Sequence, residues 1–246
     1  MERAKRTLTT FLQTVTSTHP LTPALHLDPR HVLWLPEERT LVAADLHLGY
    51  VWAHRHSGQL LPISAPDDTI DRLAGLVAEY RPAQLVLLGD IVHRAIPIPA
   101  IRDQLQSLAS SLSSVSVRWI AGNHDYRLQP LLRDSNLPGI SLEPDLPIGS
   151  HFLTHGDQPD IPALAPAGWL IIGHEHPAIH LHDRVTTSVK CPCFLAGPNI
   201  LILPAFSHWS AGTNIRTTPF LSVHARAATF THAYAIVAGH ILPIPL

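Results

Sequence analysis

Five short apolar runs in this 246-residue chain end in the same way, and that repetition limits what the chain can become. Strands are expected over Thr40–Leu46, Leu85–Leu88, Val115–Ile120, His151–Thr154 and Trp169–Ile172. They run out into Asp45-Leu46-His47, Gly89-Asp90, Gly122-Asn123-His124-Asp125, His155-Gly156-Asp157 and Gly173-His174-Glu175-His176. In open α/β sheets, ligands bind outside the carboxyl ends of the strands. Polar groups far apart in sequence therefore converge if these runs are strands.

Helical periodicity fills the intervals. From about Pro66 to Tyr80, the residues Ile70, Leu73, Leu76, Val77 and Tyr80 share one face, with Asp67 and Asp68 in the first turn and Pro82 as the stop. A second helix is expected over Pro99–Leu112, with Ile101, Leu105, Leu108 and Leu112 on one face. Beyond Ile172 the pattern turns to strands: Phe194–Ala196, Ile200–Leu203, Phe220–Val223 and Thr229–Val237. Strands that alternate with helices and then run consecutively predict an α/β sandwich. Residues 1–30, rich in Thr and Pro, read as a loosely held N-terminal arm. Without a repeat or a clean linker, residues 1–246 read as one domain.

Composition narrows the classes. A formal charge of −2 gives no support to broad wrapping of nucleic acid. Cys191 and Cys193 are the only cysteines, which excludes a disulfide framework and a CxxC zinc site and suits a reducing compartment. Early basic residues (Arg3, Lys5, Arg6) lead into Thr-rich sequence rather than an apolar stretch, and no run has the length of a membrane span. The expectation is a cytoplasmic protein with no membrane partner. With 18 histidines, only position can single any one of them out.

The groups at the five strand ends are carboxylates, imidazoles and one amide. Such a set suits divalent ions of the Mn, Fe or Zn type. Asp45, His47, Asp90, Asn123, His155, His174 and His176 are too many for one tetrahedral zinc with an open position. They suit two ions sharing a carboxylate, which roughly 3.5–4 Å apart can clamp the attacking and leaving oxygens at phosphorus. Glycines before Asp90, Asn123 and His174 allow tight turns and close backbone approach.

The order DxH…GD…GNHD…H…GHxH, met by these residues, resembles the calcineurin-like metallophosphoesterases over about residues 40–210. That resemblance implies a four-layer α/β/β/α sandwich. It implies one metal held by Asp45, His47, Asp90 and His176 and another by Asp90, Asn123, His155 and His174, with Asp90 bridging. Mn²⁺ is the implied ion, with Fe or Zn as alternatives, and a metal-bridging hydroxide is the implied nucleophile. His124 would protonate the leaving oxygen or stabilise the transition state. Finer motifs are similar to those of the bacterial ligase-associated DNA-damage-response endonuclease branch: ADLHLG (44–49), the spacing of Arg55, Gly58 and Pro62, LGDIVH (88–93), IGHEHP (172–177), PCF (192–194) and LPAF (203–206). That similarity implies a DNA endo- or exonuclease linked to repair, with DNA as substrate and DNA ligase or helicase repair proteins as partners. Two departures stand out. His93 fills the slot where phosphoprotein phosphatases carry an aspartate, which argues for phosphodiester chemistry and for a site role of His93. Tyr50 follows DLHLG, where that branch often has a basic residue.

Several residues keep two readings. Asp125 and Asp157 either orient an imidazole or occupy turns. Arg55 and Arg94 either bind substrate phosphate or lie solvated. His208 and Trp209 either line the cleft or form a surface aromatic pair. Two other functions compete. A small-molecule phosphodiesterase or pyrophosphatase, acting on nucleotides or lipid-linked diphosphates, suits the near-neutral charge better. A non-catalytic metal-binding scaffold should have lost ligands or His124, and this chain keeps them all.

Overall fold

The strands divide into two sheets by their place in the chain. The computed structural model describes residues 18–59, 61, 67–165, 167–182, 188–210 and 212–246. The first sheet takes its strands in chain order: β1 (His19–Thr22), β2 (Leu25–Asp28), β3 (Val32–Leu35), β4 (Thr40–Ala44), β5 (Gln84–Leu88), β6 (Ser116–Ile120) and β7 (Leu142–Glu143). The second holds β8 (Asp145–Ile148), β9 (His151–Thr154), β10 (Leu170–Ile172), β11 (Pro177–His182), β12 (Ser188–Ala196), β13 (Ile200–Ile202), β14 (Thr213–Asn214), β15 (His232–Val237) and β16 (His240–Pro245). Its main path runs β14-β11-β12-β13-β10-β9-β8, with β15 pairing β12 and β16.

β4, β5 and β6 are parallel, as are β9, β10 and β13. Parallel pairing needs crossovers. Helices α1 (Tyr50–His56) and α2 (Thr69–Tyr80) lie between β4 and β5, and α3 (Pro99–Ser111) between β5 and β6. α4 (Leu128–Asp134) follows β6, and a short α5 (Val223–Ala227) precedes β15.

Three buried clusters define the layers. One joins the helices to the outer face of the first sheet, through Leu73, Leu76, Ile101, Leu105, Leu87 and Trp119. One fills the space between the sheets, where Val42, Val86, Leu88, Leu153, Ile171 and Phe194 meet. One covers the far face of the second sheet, where Ile172, Leu195 and Ile202 meet Ala225. Three interlayer cores make four layers, α/β/β/α, in which the last layer is thin. Strand periodicity explains the sharing: successive residues of β5 alternate between clusters, Leu85 and Leu87 outward, Val86 and Leu88 inward. Strands buried on both faces read as continuous apolar runs, and these do.

Expected helices and strands fall within a few residues of their places, with three corrections. Residues 19–28 are no loose arm but the β1–β2 hairpin at the sheet edge, with Leu25 and Leu27 fully buried; residues 1–17 lie outside the described residues. The Thr-rich composition hid an alternation that the sheet uses. Fully buried Asp28 also anchors this edge, accepting from Arg30 Nε at 2.9 Å and from the Tyr80 hydroxyl at 2.5 Å. Phe220–Val223 is no strand. Ser222 caps α5 by accepting the His224 N–H; Phe220 packs on the far-face cluster, while Leu221 and Val223 are exposed. The helix expected from Pro66 begins at Thr69, while residues 62–66 lie outside the described set.

His31 donates from Nδ1 to the Ala205 carbonyl at 2.7 Å, and burial pushes its pKa down to about 4. The folded protein thus refuses a proton that the unfolded chain takes up below pH ~6.5. The stability from this group is present above that pH and is lost as pH falls toward 4, by about 3 kcal/mol. His31→Gln should flatten that part of the profile, read from urea midpoints at pH 7 and pH 4.5. A slope equal to wild type would contradict the assignment. Phe194→Ala, which empties the centre of the intersheet layer, should cost about 3–5 kcal/mol in the same measurement.

Candidate metal centre

Parallel strands put their carboxyl ends on one edge, and in both sheets that edge is the same end of the molecule. Asp45 follows β4, Asp90 follows β5 by one glycine, and Asn123 and His124 follow β6. His155 follows β9, and His174 and His176 follow β10. Hydrogen bonds lace the two sheets together there. The His174 N–H donates to Asp45 Oδ2 at 3.1 Å, the Phe206 N–H to the Ala44 carbonyl at 2.8 Å and the Ser207 N–H to the Asp45 carbonyl at 3.2 Å.

The expected groups meet in two clusters that share one residue. Asp45, His47, Asp90 and His176 form the first, and Asp90, His155 and His174 the second. Asp90 faces both. Its Oδ2 lies 3.8 Å from His47 Nε2, and its Oδ1 lies 3.4 Å from His155 Nε2. Asn123 joins the second cluster, its Oδ1 3.2 Å from His155 Nε2. All seven expected residues are thus brought together.

Imidazoles face imidazoles. His47 Nε2 lies 3.2 Å from His176 Nε2, and His174 Nδ1 lies 3.2 Å from His155 Nε2. Neutral nitrogens so placed present lone pairs to each other. Two nitrogens each about 2.0–2.1 Å from a common ion stand at about this separation. The rings are also held for that role. His176 Nδ1 lies 2.6 Å from Ser210 Oγ, and His155 Nδ1 lies 3.4 Å from the Leu88 carbonyl, leaving each Nε2 for the cluster. The donor set fits divalent ions.

Protonation agrees. Burial pushes His47 down to about 3 and also lowers His174, so both are neutral, the ligating form, at ordinary pH. Burial opposes ionisation of Asp45, but the charge and hydrogen bond of His176, with smaller help from the other imidazoles around it, outweigh it and hold its carboxyl at about 2. Burial raises Asp90, and cationic neighbours counter only part of that.

Backbone strain concentrates here. Asp45, His47, Asp90, His174 and His176 all have positive φ, between 44° and 68°. For a residue with a Cβ this region costs about 1–2 kcal/mol, and it persists where the surroundings over-determine it. The adjoining glycines have steric reasons as well. A Cβ on Gly89 would fall on the His155 ring, and one on Gly122 on the Asp90 amide and carboxylate.

His124 stands beside the clusters. Its Nδ1–H donates to the His93 carbonyl at 2.6 Å, and its Nε2 lies 3.8 Å from Asp90 Oδ2. Its side chain is 34% exposed, so Nε2 is open to a substrate. His93 reaches the site as well: ring nitrogens of His47, His93 and His124 lie within 4.8 Å of one another. Burial, aided by His124 and His54, lowers His93 to about 4.

Other expected residues behave differently. Asp125 orients no imidazole among the described residues. Its carboxylate accepts the N–H groups of Gly122 at 3.0 Å, Ile91 at 3.1 Å and Val92 at 3.2 Å, tying the Asp90 turn to the Asn123 turn. Asp157 accepts from the neighbouring Gln158 amide and bonds no imidazole among the described residues. Arg94 donates to Ser57 Oγ and Arg55 to the Leu61 carbonyl, so neither is turned to the clusters. Sequence reading missed Glu175. Buried between the two ligand histidines, it accepts the Leu221 and Ser222 N–H groups and holds the segment before α5. Its place inside GHEH was the available signal. Ser210 belongs to no motif, so nothing in the sequence marked it.

Asp90→Ala removes the one residue common to both clusters. Bound metal per chain, measured by elemental analysis after Mn²⁺ loading, should fall by more than half; full retention would contradict the sharing. Asp125→Ala leaves three N–H groups without their acceptor and should lower stability by about 2–4 kcal/mol, read by denaturant unfolding.

Known proteins can be set beside this geometry. Residues 38–182 match the sequence profile of the calcineurin-like phosphoesterases. No curated protein matches the chain. Among solved structures, the Pseudomonas putida nuclease MPE aligns at TM-score 0.67 with 24% identity, covering 93% of this chain and 100% of its own. The phosphoesterase Yfce from E. coli aligns at TM-score 0.42 with 19% identity, covering 84% and 98%. The likeness to the nuclease is one of fold. The profile covers more than half of the chain, and the chain belongs to the calcineurin-like phosphoesterases, metal-dependent hydrolases.

Proposed function

We propose that the chain is a two-metal phosphodiesterase that cleaves nucleic acid, most simply as a nuclease serving DNA repair. The observation that carries the reading is the placement of His124. The His93 carbonyl takes the Nδ1–H, which leaves Nε2 beside Asp90 and open to solvent. A general acid must reach the leaving oxygen while the ligands hold the phosphate, and this geometry meets that need.

Charge supports a diester over a monoester. Among the described residues, Arg55 and Arg94 bond elsewhere, and the groups at the two clusters are imidazoles, carboxylates and one amide. A dianionic monoester would call for fixed cations that this cleft does not turn inward. The nuclease fold neighbour and the histidine at position 93 point the same way. Repair as the setting rests on the branch-specific motifs alone, as do a ligase or helicase as partners.

Asp45, His47, Asp90 and His176 would hold one ion, and Asp90, Asn123, His155 and His174 the other. Bound Mn²⁺ would supply positive charge to the phosphoryl oxygens and lower the pKa of the attacking water. Within the chain, Asp90 spaces the two clusters and gives the His124 N–H an acceptor at 3.0 Å, which fixes the histidine relative to the ligands. His93 holds the His124 ring by its carbonyl and walls one side of it by its own ring, 5.3 Å away.

The test is cleavage of single-stranded and nicked DNA with Mn²⁺. His124→Ala should lower kcat by about 10²–10⁴-fold while bound metal stays at the wild-type level. An unchanged kcat in that variant would remove His124 from the chemistry. Absence of cleavage with Mn²⁺, Fe²⁺ and Zn²⁺ alike would end the nuclease reading. Hydrolysis of small diesters alone would transfer the assignment to the small-molecule alternative.

A further inference from the structure

Beside the metal centre is a second cleft that the chemistry above does not use. Tyr50, Trp52, Trp209, Asp67, Gln104 and Gly49 shape it, with a volume of about 240 Å³. Whole-ligand sites run to roughly 300–1,000 Å³, so this one suits a single fragment of a larger molecule. We propose that it is a nucleobase subsite, which holds one base of the substrate while the neighbouring phosphate lies at the metal centre. The proposal rests on the phosphodiesterase reading and names what that site recognises.

Position comes first. The Tyr50 ring lies 4.5 Å from the His93 ring, and His93 lies 5.3 Å from His124 and 5.4 Å from His47. A single ring therefore separates the cleft from both a ligand and the acid. A base and its own phosphate are separated by only one sugar.

Surface chemistry selects the fragment. The Tyr50 and Trp209 rings are parallel within 8°, with centroids 5.8 Å apart, and Trp52 is 37% exposed beside them. Aromatic faces stack bases of any sequence. None of the residues shaping the cleft is basic, and Asp67 places a carboxylate in it, so a phosphate is repelled there. The polar edge instead accepts. Among the described residues, Asp67 Oδ2 has only a long contact, 3.4 Å, from Gln104 Nε2. Acceptors of this kind suit the exocyclic amino groups of cytosine, adenine or guanine. Arg55 lies outside that lining, with its guanidinium over the Trp52 ring at 5.5 Å. Tyr50 occupies the position noted above as a departure from a basic residue, and here it supplies a stacking face.

Two readouts test the subsite. In the first, metal-loaded protein is titrated with cytidine 5′-monophosphate and with ribose 5-phosphate, followed by tryptophan fluorescence. The nucleotide should give a saturable change that ribose 5-phosphate does not give. Trp209→Ala should weaken nucleotide binding by about 10-fold or more. Ser210, next to Trp209, contacts His176, so Trp52→Ala is made as the second variant and should weaken binding in the same sense. Equal responses to the two compounds, or affinity that survives both substitutions, would overturn the proposal. In the second, cleavage of a single-stranded oligonucleotide is compared with that of its abasic tetrahydrofuran counterpart. Wild type should prefer the base-bearing strand, and both variants should bring the two rates together. Base-dependent binding without any cleavage would sink the nuclease reading and keep the subsite. Cleavage indifferent to bases would do the reverse.

Discussion

Asp90 is one carboxylate with two oxygens turned to two sets of imidazoles, and the rest of the site is arranged around that fact. Its Oδ2 faces His47 and His124, and its Oδ1 faces His155 while accepting the His124 N–H. A buried carboxylate in this position is costly unless positive charge lies close to it. Burial does raise its pKa, and the neighbouring histidines only partly oppose that. Divalent ions satisfy the carboxylate and the facing imidazole lone pairs together, which is why the geometry and the electrostatics point to the same occupant.

Holding Asp90 there constrains the chain on every side. The turn that carries it has φ of 49°, the preceding Gly89 has no room for a Cβ against His155, and Gly122 has none against Asp90 itself. Asp125 then clamps the two turns through three N–H groups. Strain of this kind survives only on a rigid support. The support is the intersheet core: Val86 and Leu88 of β5 pack against the second sheet and so fix the strand end from which Asp90 projects.

His124 and the aromatic cleft extend the centre outward. His124 is held at Nδ1 by a backbone carbonyl rather than by a side-chain carboxylate, and the charge beside its ring is the shared carboxylate of Asp90, 3.8 Å from Nε2. His93, whose carbonyl provides that acceptor, also packs on Tyr50, which continues to Trp209. Chemistry and recognition are in this way joined through one residue, and a change at position 93 would be felt in both.

The metal-binding residue types, their order and their place at strand ends were legible in the sequence, because ligation demands particular side chains and parallel strands demand apolar runs. Asp45, His47, Asp90, Asn123, His155, His174 and His176 come together as that reading expects. The layering was legible only through resemblance, since strand periodicity does not say which sheet a strand joins. Other features depended on packing. The β1–β2 hairpin hid in a Thr- and Pro-rich segment because its alternation covers only a few residues. Asp125 was equally compatible with an imidazole partner or a turn, and only the approach of β5 to β6 gives it the Ile91 and Val92 amides. Ser210, Glu175 and the Tyr50–Trp209 pair owe their roles to contacts between residues 34 to 159 positions apart, which no local pattern records. Composition and spacing determined which chemistry the chain could hold; the tertiary structure decided which atoms face it, because orientation is set by the packing of distant segments.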